Sequence, residues 1–316
     1  MDHSPGAGFI HADTDLFRKV HKSGFAFRHR LASCKLFELP RLATAAEKIL
    51  SEGDASKFVV LSGGEVTAGT KFTEMKPQEL FADKVRRLAD VGGWIKLSSL
   101  ELVDQEYAEV LKSILGEIQD LSGQPLLDQI TWSALTVFLS SPNVVTPYHI
   151  DHESNFLFQI RGEKDISLFD PDNRSILSER EIEEFYAGNF QAARFTEEVA
   201  RFAQVHHLAP GIAVHNPPLG PHWVKNGNDI SISVSIGFCL RSQDLKSHVY
   251  QVNHYLRKLG IHPNAPGRFA FSDRLKMAGI DWLSKSKPET HDEVLFSGLN
   301  RLRSLANPLQ AVRRAK

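Results

Sequence analysis

Cysteine is scarce in this chain. Cys34 and Cys239 are the only two among 316 residues, and they form no Cys-x-x-Cys pair. That excludes a disulfide framework and a zinc ribbon, and it points to a reducing compartment, the cytoplasm. Excess charge is also lacking, since 37 Lys and Arg against 38 Asp and Glu give a formal net charge of −1. A chain so balanced carries no overall field to draw it to nucleic acid or to an anionic membrane. No apolar run is long enough to span a bilayer. The opening Met1-Asp2-His3-Ser4-Pro5-Gly6 has no basic region followed by an apolar run, so no signal peptide is expected. Internal repeats and low-complexity tracts are missing as well. The remainder, 42% apolar and 24% charged, is ordinary for a soluble globular protein.

What is present falls into three zones. Residues 1–130 are a mixed α/β flank. Helices are expected at 42–50, at 77–89 with Pro77 at the start and Gly92-Gly93 beyond the end, and at 104–121, where Leu111, Ile114, Leu115, Ile118 and Leu121 keep helical spacing. Short strands are expected at 58–61 and 94–97. Residues 131–240 are strand-dominated, with strands at 131–139, 144–151, 155–160, 164–169, 211–215 and 230–238 around a polar helical insert at 179–202. Short strands joined by Gly/Pro turns suggest a double-sheet jelly roll. Residues 241–316 read as helical, with Leu295, Leu299, Leu302, Leu305 and Leu309 roughly on one face and Pro308 interrupting or restarting the last helix.

The chemistry concentrates in Thr146-Pro147-Tyr148-His149-Ile150-Asp151. In a strand, residues two apart share a face, so His149 and Asp151 present an imidazole and a carboxylate to one point. A further histidine would complete two His and one carboxylate on one face of a metal, the arrangement of non-haem Fe(II) oxygenases. His215 and His222 are the candidates. His222 is favoured because Gly220-Pro221 fixes its approach and the run 230–236 carries it into a barrel wall. A hairpin follows the His-x-Asp pair, turning at Arg161-Gly162-Glu163. On its return strand Lys164, Ile166 and Leu168 share a face, which turns an ammonium inward. Such a lysine needs an anionic partner unless it snorkels to solvent at the strand start. Phe138, Val137, Leu139, Phe156, Phe158, Ile166, Leu168 and Val234 are available to line or underlie such a site. His152 is expected to face away from the metal, and His206 and His207 to sit on a loop.

These pieces together, with Asn155-Phe156, Gln159 to Lys164, Leu168 to Pro171 and Pro221-His222-Trp223, resemble the core of the JmjC/cupin-like 2-oxoglutarate oxygenases. The likeness covers about residues 130–240 and is nearest to the asparaginyl-hydroxylase branch acting on hypoxia-inducible factor and to bacterial cupin-like proteins. The resemblance implies a mainly β fold with helical flanks and a double-stranded β-helix (jelly-roll/cupin) core. It implies Fe(II) on His149, Asp151 and His222. It also implies 2-oxoglutarate as co-substrate, its distal carboxylate on Lys164 and Thr146, with Asn155 near the metal-proximal carboxylate and O2 at the metal. Hydroxylation of a protein side chain or small molecule, with release of succinate and CO2, would follow. One departure stands out: Gly237 occupies the place of a polar Asn in the last barrel strand, and Ser235 on the same face is the candidate replacement.

Two other classes stay open, a non-catalytic metal-binding cupin acting as a ligand sensor or regulator, and a zinc cupin such as an isomerase. The basic stretch 301–316 reads as a helix packed on the barrel or as a homodimer element, which the resemblance encourages. It has no interleaved aromatics to suggest a nucleic-acid arm.

Overall fold

The computed structural model describes residues 8–11, 14–62 and 66–314, with side chains to residue 304. The first six residues, where no leader is expected, and the side chains of Leu305, Leu309 and the last basic residues lie outside what is described. The strands are β1 (Ile10–His11), β2 (Phe25–His29), β3 (Phe58–Ser62), β4 (Lys76–Pro77), β5 (Gly93–Leu97), β6 (Ile130–Ser140), β7 (Val145–His149), β8 (Ser154–Arg161), β9 (Lys164–Leu168), β10 (Gln204–Leu208), β11 (Ile212–Asn216), β12 (His222–Asn226) and β13 (Ser231–Leu240). They pair antiparallel into a nine-stranded sheet, β1-β2-β11-β8-β13-β6-β5-β3-β4, and a four-stranded sheet, β10-β9-β12-β7. The helices are α1 (Thr14–Phe17), α2 (Leu39–Ser51), α3 (Asp83–Arg86), α4 (Gln105–Ser122), α5 (Glu179–Tyr186), α6 (Glu197–Ala200), α7 (Arg241–Lys258), α8 (Ala270–Leu283) and α9 (His291–Arg314). The mainly β core with helical flanks is as the alternation of the sequence leads one to expect.

Strand β13 shows how the layers arise. All ten of its residues are buried, yet they alternate in kind. Ile232, Val234, Ile236 and Phe238 join Leu135, Val137 and Leu139 of β6 and Phe156 and Phe158 of β8 in the main core, against Ala46 and Ile49 of α2 and Ile114 and Ile118 of α4. Ser231, Ser233, Ser235, Gly237 and Cys239 face the other way, into the space between the sheets. Small side chains on this wall leave room for a cavity. At one end of the wall Gln159 closes the space. Its amide donates to the Arg161 and Gly162 carbonyls and to Ser231 Oγ, and its Oε1 accepts from Ser233 at 2.7 Å.

The flanking helices are locally encoded. The Asp104 side chain accepts from the Glu106 N–H to start α4, and Gly123, at φ 65°, ends it. Ser178 and Glu181 form a reciprocal capping box on α5. The buried Glu183 of α5 takes a two-pronged ion pair from Arg257 of α7, both bonds 2.7 Å, which fixes the C-terminal helices to the insert.

Several local expectations differ from the structure. The helix expected at 77–89 is the two-residue edge strand β4 followed by the short α3, because Pro77 pairs with Leu61 at the sheet edge. The insert 179–202 breaks into α5 and α6, with Gly188 at φ 94° after the first. His206 and His207 lie in β10, on the edge of the smaller sheet, and His207 Nδ1 bonds Asp165 Oδ1 of β9 at 2.8 Å. The last helix, α9, runs through Pro308 without the expected break.

Phe156 is fully buried, with rings of Phe17, Phe27, His215 and Phe238 centred 4.4–6.1 Å away. Phe156→Ala is therefore expected to destabilise the fold by about 3–5 kcal/mol. Urea denaturation should show a lower midpoint at unchanged slope, and an unchanged midpoint would contradict the placement of the core.

Candidate metal centre

β7 is an edge strand and carries an irregularity that sets up the site. Its register with β12 pairs His222 with His149 and Val224 with Thr146, so two steps on β12 oppose three on β7. That is a β-bulge, and Pro147, which has no N–H to offer a ladder, sits inside it. Because of the extra residue, Thr146 and His149, three apart, both face the cavity, while Tyr148 turns outward to pack on Phe169 and Phe195. Simple alternation would have put Thr146 and His149 on opposite faces. β7 also ends at His149, so Asp151 reaches the site from the segment beyond it.

The ligand atoms expected of a metal triad come together here. Asp151 Oδ2 lies 3.7 Å from His149 Nε2 and 3.6 Å from His222 Nε2, and the two imidazole rings are centred 4.1 Å apart. Each ring has its other nitrogen tied. His149 Nδ1 donates to the Pro147 carbonyl at 2.7 Å, and His222 Nδ1 lies 3.0 Å from the Asn216 side-chain amide and donates to the Gly220 carbonyl at 3.1 Å. Both Nε2 atoms are thereby left as free lone pairs, which is the form a metal takes. Burial, reinforced by the nearby His149 and opposed by Asp151, pushes the His222 imidazole down to about 4, so it is neutral near pH 7. Two imidazoles and one carboxylate at the edge of a cavity fit a divalent ion with positions left open.

His215, the other candidate, stands elsewhere. Its Nδ1 donates to the Asn155 carbonyl, its Nε2 accepts from the His21 N–H, and its ring stacks on Phe156 at 4.4 Å. With both nitrogens used in a core position it is no ligand. His222 itself begins strand β12, an additional strand between those expected at 211–215 and 230–238.

A cavity of about 860 Å³ opens from the triad between the sheets. Thr146, Lys164, Ile166 and Val224 line it from the smaller sheet, and Asn155, Leu157, Ser235 and Gly237 from the larger. Lys164 is 5% exposed and pairs with no carboxylate among the described residues. Burial pushes its ammonium down to about 7. Ser235 Oγ donates to Asn155 Oδ1 at 2.9 Å, which leaves the Asn155 NH2 group to turn toward the cavity. A Cβ at Gly237 would come within 3.3 Å of Glu153 Cγ and 3.4 Å of the Trp132 ring, so these two side chains occupy the place of the expected Asn. Glu153 was not singled out from the sequence. Burial and the adjacent Asp151 charge push its carboxyl up to about 7, so it holds a proton part of the time near neutral pH. Of the apolar side chains proposed as lining, Phe138 and Ile166 reach the cavity. Val137, Leu139, Phe156, Phe158 and Val234 belong to the main core on the far face, and Leu168 packs in a small cluster with Leu208 and Val214. His152 is neither loose nor exposed, being 7% exposed and bonded to the Tyr186 hydroxyl and to Asp244.

A family model described as a cupin-like domain matches residues 44–239. That is wider than the span of the motif resemblance, since β3 and β5 belong to the same sheet as the barrel strands. No curated protein sequence matches significantly. Among solved structures, YcfD, a ribosomal oxygenase from Escherichia coli in complex with cobalt and 2-oxoglutarate, is 14% identical over 96% of this chain and 68% of its own, with a TM-score of 0.48. Another X-ray structure of E. coli YcfD gives 14%, 95%, 68% and 0.49. The dimethylsulfoniopropionate (DMSP) lyase DddQ from Ruegeria pomeroyi is 13% identical over 34% of this chain and 38% of its own, with a TM-score of 0.23. Identities and scores this low decide nothing about activity.

The buried lysine has a stability signature. Its folded pKa of about 7 lies below the ordinary 10.5, so the unfolded chain holds more protons in that interval. The destabilisation from the buried charge is full below pH 7 and fades as pH rises toward 10.5. Lys164→Met should therefore raise the melting temperature of the ligand-free protein most at pH 6, with the gain shrinking at pH 9. A gain independent of pH would show that the ammonium is solvated.

Proposed function

This chain belongs to the cupin-like domain family, and we propose that it is an Fe(II)- and 2-oxoglutarate-dependent dioxygenase, hydroxylating a protein side chain or small molecule with release of succinate and CO2. The observation that carries the reading is Lys164. A metal site alone needs no buried, unpartnered ammonium in its cavity, whereas a dicarboxylate co-substrate supplies the missing counter-charge.

Ferrous ion, when bound, would supply the redox chemistry that couples decarboxylation of the co-substrate to oxygen insertion. The rest falls to the chain. His149, Asp151 and His222 would hold the ion. Lys164 binds the distal carboxylate as a point charge, and the Thr146 hydroxyl donates to the same group. Asn155, its carbonyl oxygen held by Ser235, directs its NH2 group to the metal-proximal carboxylate. Phe138, Leu157, Ile166 and Val224 shed water from the co-substrate, which strengthens its charge pairing. Glu153, when protonated, has a hydrogen to donate beside the triad.

The decisive measurement is succinate formed from 2-oxoglutarate with Fe(II) and ascorbate. Wild-type protein is expected to turn over slowly without a primary substrate, and His149→Ala to lose that activity. Lys164→Ala should raise the KM for 2-oxoglutarate about tenfold to a hundredfold, as expected for loss of a hydrogen bond to a charged group worth about 1.5–3 kcal/mol. If the wild-type protein neither forms succinate nor binds 2-oxoglutarate, the reading falls and a non-catalytic metal-holding cupin takes its place.

Proton linkage gives an independent check. Pairing with a carboxylate restores the ordinary basicity of Lys164, so binding between pH 7 and 10.5 takes up a proton. Calorimetry at pH 8.5 in buffers of different ionisation enthalpy should show this uptake in wild-type protein and none in Lys164→Ala.

A further inference from the structure

Beyond Asp151, at the rim of the same cavity, four more ligand-type side chains converge. His152 comes from the segment after β7, Cys239 from the end of β13, Asp244 from the first turn of α7, and His291 from the start of α9. One ligand atom from each lies within 4.8 Å of the others. His152 Nε2 and His291 Nε2 both aim at Asp244 Oδ1, at 2.9 and 3.2 Å. Asp244 is 4% exposed, and among the described residues its second oxygen, Oδ2, has no hydrogen bond of good geometry. The nearby Thr131 hydroxyl donates to the Cys239 carbonyl at 3.4 Å and also helps to hold the Asp244 carboxyl down. A carboxylate oxygen so weakly served at this depth is expensive, and it lies among two imidazoles and a thiol.

We propose that His152, Cys239, Asp244 and His291 form a second metal site, a closed structural site for a divalent cation of the zinc type. Two imidazole nitrogens, a thiolate and a carboxylate oxygen are the donors a tetrahedral, borderline-soft ion takes. Bonds of about 2.0–2.3 Å place such ligands roughly 3.4–3.7 Å apart, so the Asp244 oxygen would back away slightly from the two imidazole nitrogens, at 2.9 and 3.2 Å, while the wider pairs, within 4.8 Å, close in. Charge balances as well, since thiolate and carboxylate together neutralise the ion and no net charge is left buried. The proton account closes with one released per ion, from Cys239 Sγ. With Nε2 on the ion, His152 Nδ1 would turn its hydrogen to the Tyr186 oxygen, 2.8 Å away. His291 is steadied by stacking on Trp132, with rings 5.8 Å apart and 19° from parallel. All four positions are filled by protein, so the ion has no place for substrate. Its effect is to fasten α7 and α9 to the cavity rim.

The test uses the full chain, stripped with a chelator and titrated with Co(II) as probe. Wild-type protein should take up two equivalents and show a thiolate-to-cobalt charge-transfer band. Cys239→Ser and His291→Ala should each lose one equivalent and the band. His222→Ala should also lose one equivalent but keep the band, so failure of the triad site reads differently from failure of this one. Added Zn(II) should raise the melting temperature of His222→Ala but not of the double variant His222→Ala/His291→Ala. His291 is only partly buried, so that variant carries the test if Cys239→Ser fails to fold. A wild-type protein without the band, or a His291→Ala protein that still binds two equivalents, would overturn the proposal and leave a hydrogen-bonded clamp in which both imidazoles donate to Asp244.

Discussion

The geometry of the site depends on a change of phase in one edge strand. A regular strand repeats every two residues, and no regular strand can send Thr146 and His149 into the same space. The bulge opposite β12 absorbs the odd residue, and Pro147 suits it twice over. Having no N–H, it loses no ladder bond, and its carbonyl accepts from His149 Nδ1 and so selects the tautomer whose Nε2 faces Asp151. Local backbone chemistry thus decides both which face His149 presents and which nitrogen it offers. The same slip frees Tyr148 to pack outward, which anchors the strand that would otherwise be the weakest part of the smaller sheet.

Much of this was legible in the sequence, and the parts that were not share a cause. Period-two alternation located β6, β8, β9, β11 and β13, and helical spacing with the Asp104 cap located α4, because these signals are local. The His149–Asp151 pair was legible for the same reason. The bulge was not, since two registers of β7 fit the same residues and only the partner strand chooses between them. Strand β12 is short, starts at His222 itself, and is half polar, so nothing local separated it from β13. Glu153 gave no pattern either. Its perturbed carboxyl arises from burial and from the adjacent Asp151 charge, neither of which a residue-by-residue reading weighs. The contact between His152 and Asp244 spans 92 residues and has no short-range trace at all.

The serines of β13 show how easily a polar face is misread. Alternation of Ile with Ser usually marks a strand with one face in solvent. Here both faces are covered, and Ser231, Ser233, Ser235, Gly237 and Cys239 line an interior wall whose small side chains preserve volume. The wall is graded in function. Ser231 and Ser233 engage Gln159 and close one end, Ser235 holds Asn155, and Gly237 makes room for Glu153 and Trp132. The polar group at this point of the wall is therefore the Glu153 carboxyl, pushed up to about 7 by burial and by the adjacent Asp151.

Charge within the cavity is divided in the same spatial way. Lys164, with no carboxylate partner among the described residues, stands in the wall formed by the smaller sheet, while Asp151 and Glu153 bring carboxyls to the rim where α9 begins. A ligand with a dianionic body satisfies the first region and is repelled by the second unless a cation intervenes, which is the service a metal on His149, Asp151 and His222 performs. The residues 149–153 then serve more than one centre in alternation. His149 and Asp151 turn to the triad, His152 to Asp244 and His291, and Glu153 to the cavity. Because one short segment carries all four, whatever holds His152 to the C-terminal helices also limits how far Asp151 can swing from the two imidazoles. Rigidity of the triad is thus tied to the docking of α7 and α9, elements that contribute no ligand to it.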